Sequence, residues 1–203
     1  MFKFPDVGLV REAVRQRGFV AVRESLERDT LRRLRDQAGR LTESQGTLIE
    51  RDAEDEQRLH YCVVPGDRIE RDMPLLAALY ASTELLDWIR AATSNPAVTT
   101  SPYMRSALNI NRLSRAGQAY PWHADAVPYT VVMFLTSLPT GAGGELQIRS
   151  LDGARCPHAV AALREDVVRL TVPMVYPAVH HERPVGLDDF LYGDAIEAAE
   201  ATR

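Results

Sequence analysis

The chain has 203 residues, 45% hydrophobic and 26% charged, which fits one globular domain with a sizeable core and excludes disordered, fibrous and collagen-like classes. A net charge of -4, with basic residues spread along helical stretches, argues against nucleic acid as the main partner, because phosphate binding wants a basic face. No run of 18 apolar residues is present, the start Met1-Phe2-Lys3-Phe4-Pro5 lacks a signal-peptide core, and Cys62 and Cys156 read as free thiols, so a soluble cytoplasmic protein with no membrane partner is expected.

The first hundred residues read as mainly helical. Asp6 is placed to cap a short helix, Val7 to Gln16, which Gly18 ends. Phe19 to Val22 reads as a short strand. Leu31, Leu34, Ala38 and Leu41 recur at spacings of three and four and make Glu27 to Ser44 an amphipathic helix. Residues 45–72 are polar and mixed. They read as a loop with one strand near Leu59 to Val64, in which Arg51, Arg58, His60 and Tyr61 are candidates to cover a binding site. Met73 to Thr93 is a second strong helix, stopped by Ser94-Asn95-Pro96.

Beyond Pro96 the pattern changes to strands. Ser106 to Leu113 partly alternates. Tyr129 to Leu135 is nearly continuous in β-branched and aromatic residues, the mark of a strand buried on both faces. Pro139 to Gly144 is a turn needing positive φ. It lacks the Gly-Lys-Ser/Thr of a phosphate loop, and Glu145 to Arg149 follows as a strand. Leu151 to Ala162 reads as irregular. Val167 to Val172 and Met174 to Val179 return to strand, divided by Pro173. The expected class is therefore α+β, with residues 1–100 as mainly helical support and 101–195 as a β-sandwich or jelly roll.

The chemistry lies in Trp122-His123-Ala124-Asp125. On an extended chain positions i and i+2 share a face, so His123 and Asp125 can reach one metal while Ala124 turns away. A distant histidine would complete a two-histidine, one-carboxylate site, which leaves coordination positions open and prefers Fe(II). Alone the pair is a weak signal. It stands, however, after Gly117-Gln118 and before Phe134-Leu135 through Gly143-Gly144-Glu145-Leu146, and Tyr176-Pro177…His180 with Pro184-Val185 follows.

In these three blocks the chain resembles the Fe(II)/2-oxoglutarate-dependent dioxygenases, specifically their prolyl 4-hydroxylase-like and phytanoyl-CoA hydroxylase-like branches. The resemblance implies a single-domain double-stranded β-helix (jelly roll, cupin-like) braced by N-terminal helices. It implies His123, Asp125 and His180 as metal ligands, with Fe(II), 2-oxoglutarate and O2 as cofactor and co-substrates. His180 is preferred to His181 because it stands four residues before Pro184-Val185; His60 and His158 read as ordinary surface or loop histidines. Trp122 is a candidate wall of the substrate pocket as well as a core aromatic. Asp125 argues against halogenation, since halogenating members replace this carboxylate with a small residue.

The resemblance breaks at the co-substrate anchor. An Arg or Lys is expected about ten residues beyond the distal histidine, yet counting from His180 leads to Phe190 among Asp188, Asp189 and Asp194. Some other basic residue must grip the dicarboxylate. Arg105, Arg112, Arg149, Arg169 and Arg183 are the candidates, with Arg112 and Arg169 preferred for their apolar neighbours and Asn111 beside them. The expected activity is hydroxylation or desaturation of a small molecule, such as an amino acid or natural-product intermediate. Two other readings stand beside it: an Fe(II) oxygenase that does not use 2-oxoglutarate, and a non-catalytic β-helix binding protein. Oligomeric state is left open, a homodimer included.

Overall fold

A computed structural model describes residues 2–51, 59–149 and 156–178. Among these residues six helices and eight strands form an α+β fold with two antiparallel sheets. The larger has the order β1-β2-β3-β8-β5, the smaller β4-β7-β6. No described helix is long and apolar enough to cross a membrane.

Helix α1 (Val7–Arg17) begins where Asp6 accepts a hydrogen bond from the Leu9 amide at 3.0 Å, and ends at Gly18 in the left-handed region at φ 80°. Helix α2 (Arg28–Gln45) buries Leu34, Ala38 and Leu41, the expected stripe. The segment 19–22 is extended but pairs with no described strand, so it is not the strand expected there. Over 45–72 the strand expected near Leu59 to Val64 is β2 (Leu59–Pro65), but the stretch expected as loop around it also holds its antiparallel partner β1 (Thr47–Arg51) and, after it, α3 (Gly66–Asp72). Tyr61, read as a surface candidate, is 3% exposed. His60 pairs with Glu50 at 2.9 Å, and Arg58 lies outside the described residues. The long helix expected over 73–93 is two: α4 (Pro74–Tyr80) and α5 (Thr83–Thr93). They part at Ser82, whose hydroxyl caps α5 through the Leu85 amide.

Past α6 (Met104–Ala107) come β3 (Asn109–Leu113), β4 (Tyr120–His123), β5 (Tyr129–Phe134), β6 (Leu146–Ile148), β7 (His158–Val160) and β8 (Arg169–Tyr176). Strand β8 runs through Pro173 unbroken. A proline has no N–H to give a ladder, and here the pairing with β3 lapses between Asn111↔Thr171 and the isolated bridge Leu108↔Met174. Strand β5 is not buried on both faces as expected. It is the edge of the larger sheet, half-buried, with Phe134 46% exposed. Strand β7 lies in a stretch that reads as irregular, and this correction matters for the site.

Two cores follow from strand alternation. Val64, Ile110, Leu170, Val172 and Met174 pack with the helices on one face of the larger sheet. Ile49, Tyr61, Val63, Leu113 and Leu163 pack between the sheets, with Tyr120 and Val160 of the smaller one against them.

Candidate metal centre

His123 closes β4 and Asp125 stands two residues on, in the connection to β5. Strand β7 pairs antiparallel with β4 and brings His158 directly opposite His123. The rings of the two histidines lie 4.2 Å apart between centroids. Asp125 Oδ1 is 3.6 Å from His123 Nε2 and 3.7 Å from His158 Nε2. Of the described residues, these three alone converge as a group of ligand atoms, all within 4.8 Å of one another.

Each imidazole is held in the tautomer that a metal needs. His123 Nδ1 faces the Pro121 carbonyl at 2.9 Å, and His158 Nδ1 faces the Cys156 carbonyl at 3.1 Å. A carbonyl only accepts, so both Nδ1 atoms carry the proton and both Nε2 lone pairs point into the cluster. A metal bonded at about 2.1 Å to three mutually perpendicular donors needs them about 3 Å apart, so a small rotation closes the observed set. Two imidazole nitrogens and one carboxylate oxygen are the donor chemistry of an Fe(II) facial triad. Burial alone would push the Asp125 carboxyl up. The polar neighbours His123, Thr130 and His158 outweigh it and leave the group below its ordinary value.

The sequence reading took His180 as the third ligand and gave His158 no role; His180 and His181 lie outside the described residues, and among the described residues His158 is the histidine that joins the pair. The signal that finds His158 is spacing from an arginine: Arg169 stands eleven positions after it, near the expected ten. The other end of the inter-sheet space supports this. Arg169 is 4% exposed, its Nε donating to the Gly144 carbonyl at 2.8 Å and its NH1 to Thr171 Oγ1 at 3.2 Å. Phe134 covers it, ring centroid 5.4 Å from the guanidinium carbon. Among the described residues no carboxylate pairs with it, and burial lowers its pKa to about 10. Asn111, on the strand position opposite Thr171, has a buried side-chain oxygen without a partner.

Arg112 does not join this group. Neighbours on a strand face opposite ways, and it pairs with Glu43 of α2 at 3.3 Å. Arg149 lies over the Trp122 ring at 4.1 Å, so that ring is stacked on a surface cation. Arg105 sits on α6, and Arg183 lies outside the described residues. The Gly143-Gly144 turn has the expected positive φ, at 79° and 73°, and its Gly144 carbonyl accepts the hydrogen bond from Arg169 Nε.

The fold is shared with solved non-haem iron proteins. The epimerase SnoN from nogalamycin biosynthesis, described as alpha ketoglutarate dependent, superposes with TM-score 0.69 at 15% identity, over 92% of this chain and 88% of that one. SnoN has also been solved in complex with Fe3+, alpha ketoglutarate and nogalamycin RO (TM-score 0.67, 15% identity, 92% and 89% covered). A 2OG-Fe(II) oxygenase family oxidoreductase from Burkholderia pseudomallei gives 0.58 at 11% identity, over 87% and 93%. No curated protein sequence matches. The profile of the family HalD, Halogenase D, matches residues 5–151, well over half of the chain. The chain belongs to the Halogenase D family.

Proposed function

We propose that this protein is a non-haem Fe(II)- and 2-oxoglutarate-dependent oxygenase, one double-stranded β-helix domain, that hydroxylates or desaturates a small molecule. The observation that carries the reading is the convergence of His123 Nε2, His158 Nε2 and Asp125 Oδ1, each imidazole locked by a backbone carbonyl. His123, Asp125 and His158 would hold the iron. Bound there with 2-oxoglutarate, iron supplies the oxidising power needed to break an unactivated C–H bond.

The chain's own residues do the rest. Among the described residues Arg169 is a buried cation without an anion, and such a charge is costly until a ligand pairs with it. It would take the far carboxylate of 2-oxoglutarate with its planar fork, with Thr171 and Asn111 as polar neighbours. This removes the reason for a reading without 2-oxoglutarate, which rested on a missing anchor. The inter-sheet core of Ile49, Tyr61, Val63 and Leu113 excludes water from one side of the site. Asp125 occupies the place where a halide would need to ligate, so the reading is oxygenation within a family described by halogenation. SnoN, solved with nogalamycin RO, favours a natural-product intermediate as substrate.

Anaerobic titration separates the histidines. His158→Ala should lose Fe(II) binding and the charge-transfer band that 2-oxoglutarate develops with iron; His180→Ala should keep both. The opposite result restores His180 as the ligand, and binding unaffected by either sinks the triad. In chloride buffer, mass spectrometry of turned-over substrate should show added oxygen or two lost hydrogens, and no chlorine.

A further inference from the structure

Strand β4 reaches the metal centre through an irregular pairing. Tyr120 stands opposite Val160 of β7 and His123 opposite His158, so Pro121 and Trp122 together face the single Ala159, a β-bulge with one extra residue in β4. The bulge decides a face. Tyr120 and Val160 pack against the core between the sheets, and His158, two positions from Val160, turns to the same side. Strict alternation from Tyr120 would send Trp122 inwards and His123 outwards. With the extra residue absorbed, the rings of Tyr120 and His123 lie together instead, 4.6 Å apart between centroids.

Three features favour this register. Strand β4 is an edge of the smaller sheet, and Pro121, with no N–H to donate, suits a bulge there better than a regular ladder position. Its carbonyl is turned to His123 Nδ1 at 2.9 Å. Trp122, the residue that regular alternation would bury, is held on the outer face. Leu146 and Ile148 of β6 face inwards as the partners of Val160 and His158, which sends Arg149, next in the ladder, to the outside. Its exposed guanidinium lies 4.1 Å from the Trp122 ring centroid, within cation–π range. The hydrophobic effect works against this arrangement, because in the regular register the indole would gain burial between the sheets.

We propose that the Trp122–Arg149 stack is a register lock for the iron site: by holding the indole on the outer face it keeps the bulge in β4 and His123 turned towards Asp125 and His158. Trp122 and Arg149 are positioning residues, acting from behind the ligand. The inference rests on the metal reading above, and two measurements keep the two apart.

The first is anaerobic Fe(II) affinity of the full chain. A guanidinium near a metal site repels the cation, so mere loss of its charge would tighten binding, whereas loss of the lock weakens it. Arg149→Ala should weaken binding roughly 5–30-fold, and Arg149→Lys, which keeps a cation for the ring, should stay within about twofold of the parent. Unchanged or tighter binding in Arg149→Ala overturns the proposal, and so does an equal loss in both variants. The second uses metal-free protein in a Trp88→Phe background, where Trp122 is the one tryptophan of the chain. Arg149→Ala should shift its emission to shorter wavelength, as the indole turns into the apolar space between the sheets. Unmoved emission, or the shift to longer wavelength of an indole merely bared to water, refutes the lock. Should the parent chain bind no iron, the metal reading fails while the emission still decides the lock.

Discussion

Arg169 concentrates the physics of this molecule in one side chain. Among the described residues this guanidinium in the inter-sheet space is bonded to a carbonyl and a hydroxyl, and it has lost its water without gaining an anion from them. Its folded pKa, about 10, lies below the ordinary arginine value, so the charged form is disfavoured by folding. Both values stand above neutrality, so the cost is fully present and constant through the neutral range and is relieved only as pH rises past the folded value. Arg169→Met should therefore leave the metal-free protein at least as heat-stable as the parent, equally at any near-neutral pH. The same variant should weaken 2-oxoglutarate binding on the order of 30-fold or more, read from the charge-transfer band. A lower Tm with intact co-substrate binding would make Arg169 a structural residue.

The Gly143-Gly144 turn between β5 and β6 serves that arginine. A Cβ on Gly144 would come within 2.8 Å of Leu138 Cδ1 and Leu163 Cδ2 and 3.2 Å of Arg169 Cδ, at a φ of 73° that side chains rarely adopt. Gly144→Ala should cost about 1–3 kcal/mol, measured as a lower Tm, and should weaken co-substrate binding because its carbonyl holds Arg169 Nε. Helix α1 was legible from its caps and α2 from its apolar period, because both signals are local. Strand β7 was not. It has three residues, His158–Val160, too few for a period, and it exists because β4 and β6 pair with it on both sides. The same brevity hid His158, since a histidine in an apparent loop carries no sign of facing a metal.

At the scale of the whole molecule, the proposed ligand set joins segments far apart in the chain. His123 and Asp125 come from one side of the smaller sheet, His158 from its middle strand, and Arg169 from the larger sheet. A metal that binds only the assembled site must stabilise the fold by mass action. Anaerobic Fe(II) at about 100 times its Kd should add about 2.7 kcal/mol and raise Tm, and His123→Ala should abolish the shift. An equal shift in that variant would mean that iron binds elsewhere.

The sequence by itself determined the α+β class, the first two helices, the positive-φ glycine turn and the pairing of His123 with Asp125. Each rests on spacing along a short stretch, and helix periods and i, i+2 geometry translate spacing directly into direction. Tertiary structure alone brought His158 to them and enclosed Arg169 between the sheets. Tyr176-Pro177…His180 has the local pattern and lies outside the described residues, while strand register across the smaller sheet sets His158 opposite His123. Arg112 and Arg169 looked alike in sequence, and the sheet face separated them: one meets Glu43 in the helical layer, the other is enclosed between the sheets. Register and face are properties of paired strands, so they were not written in any one of them.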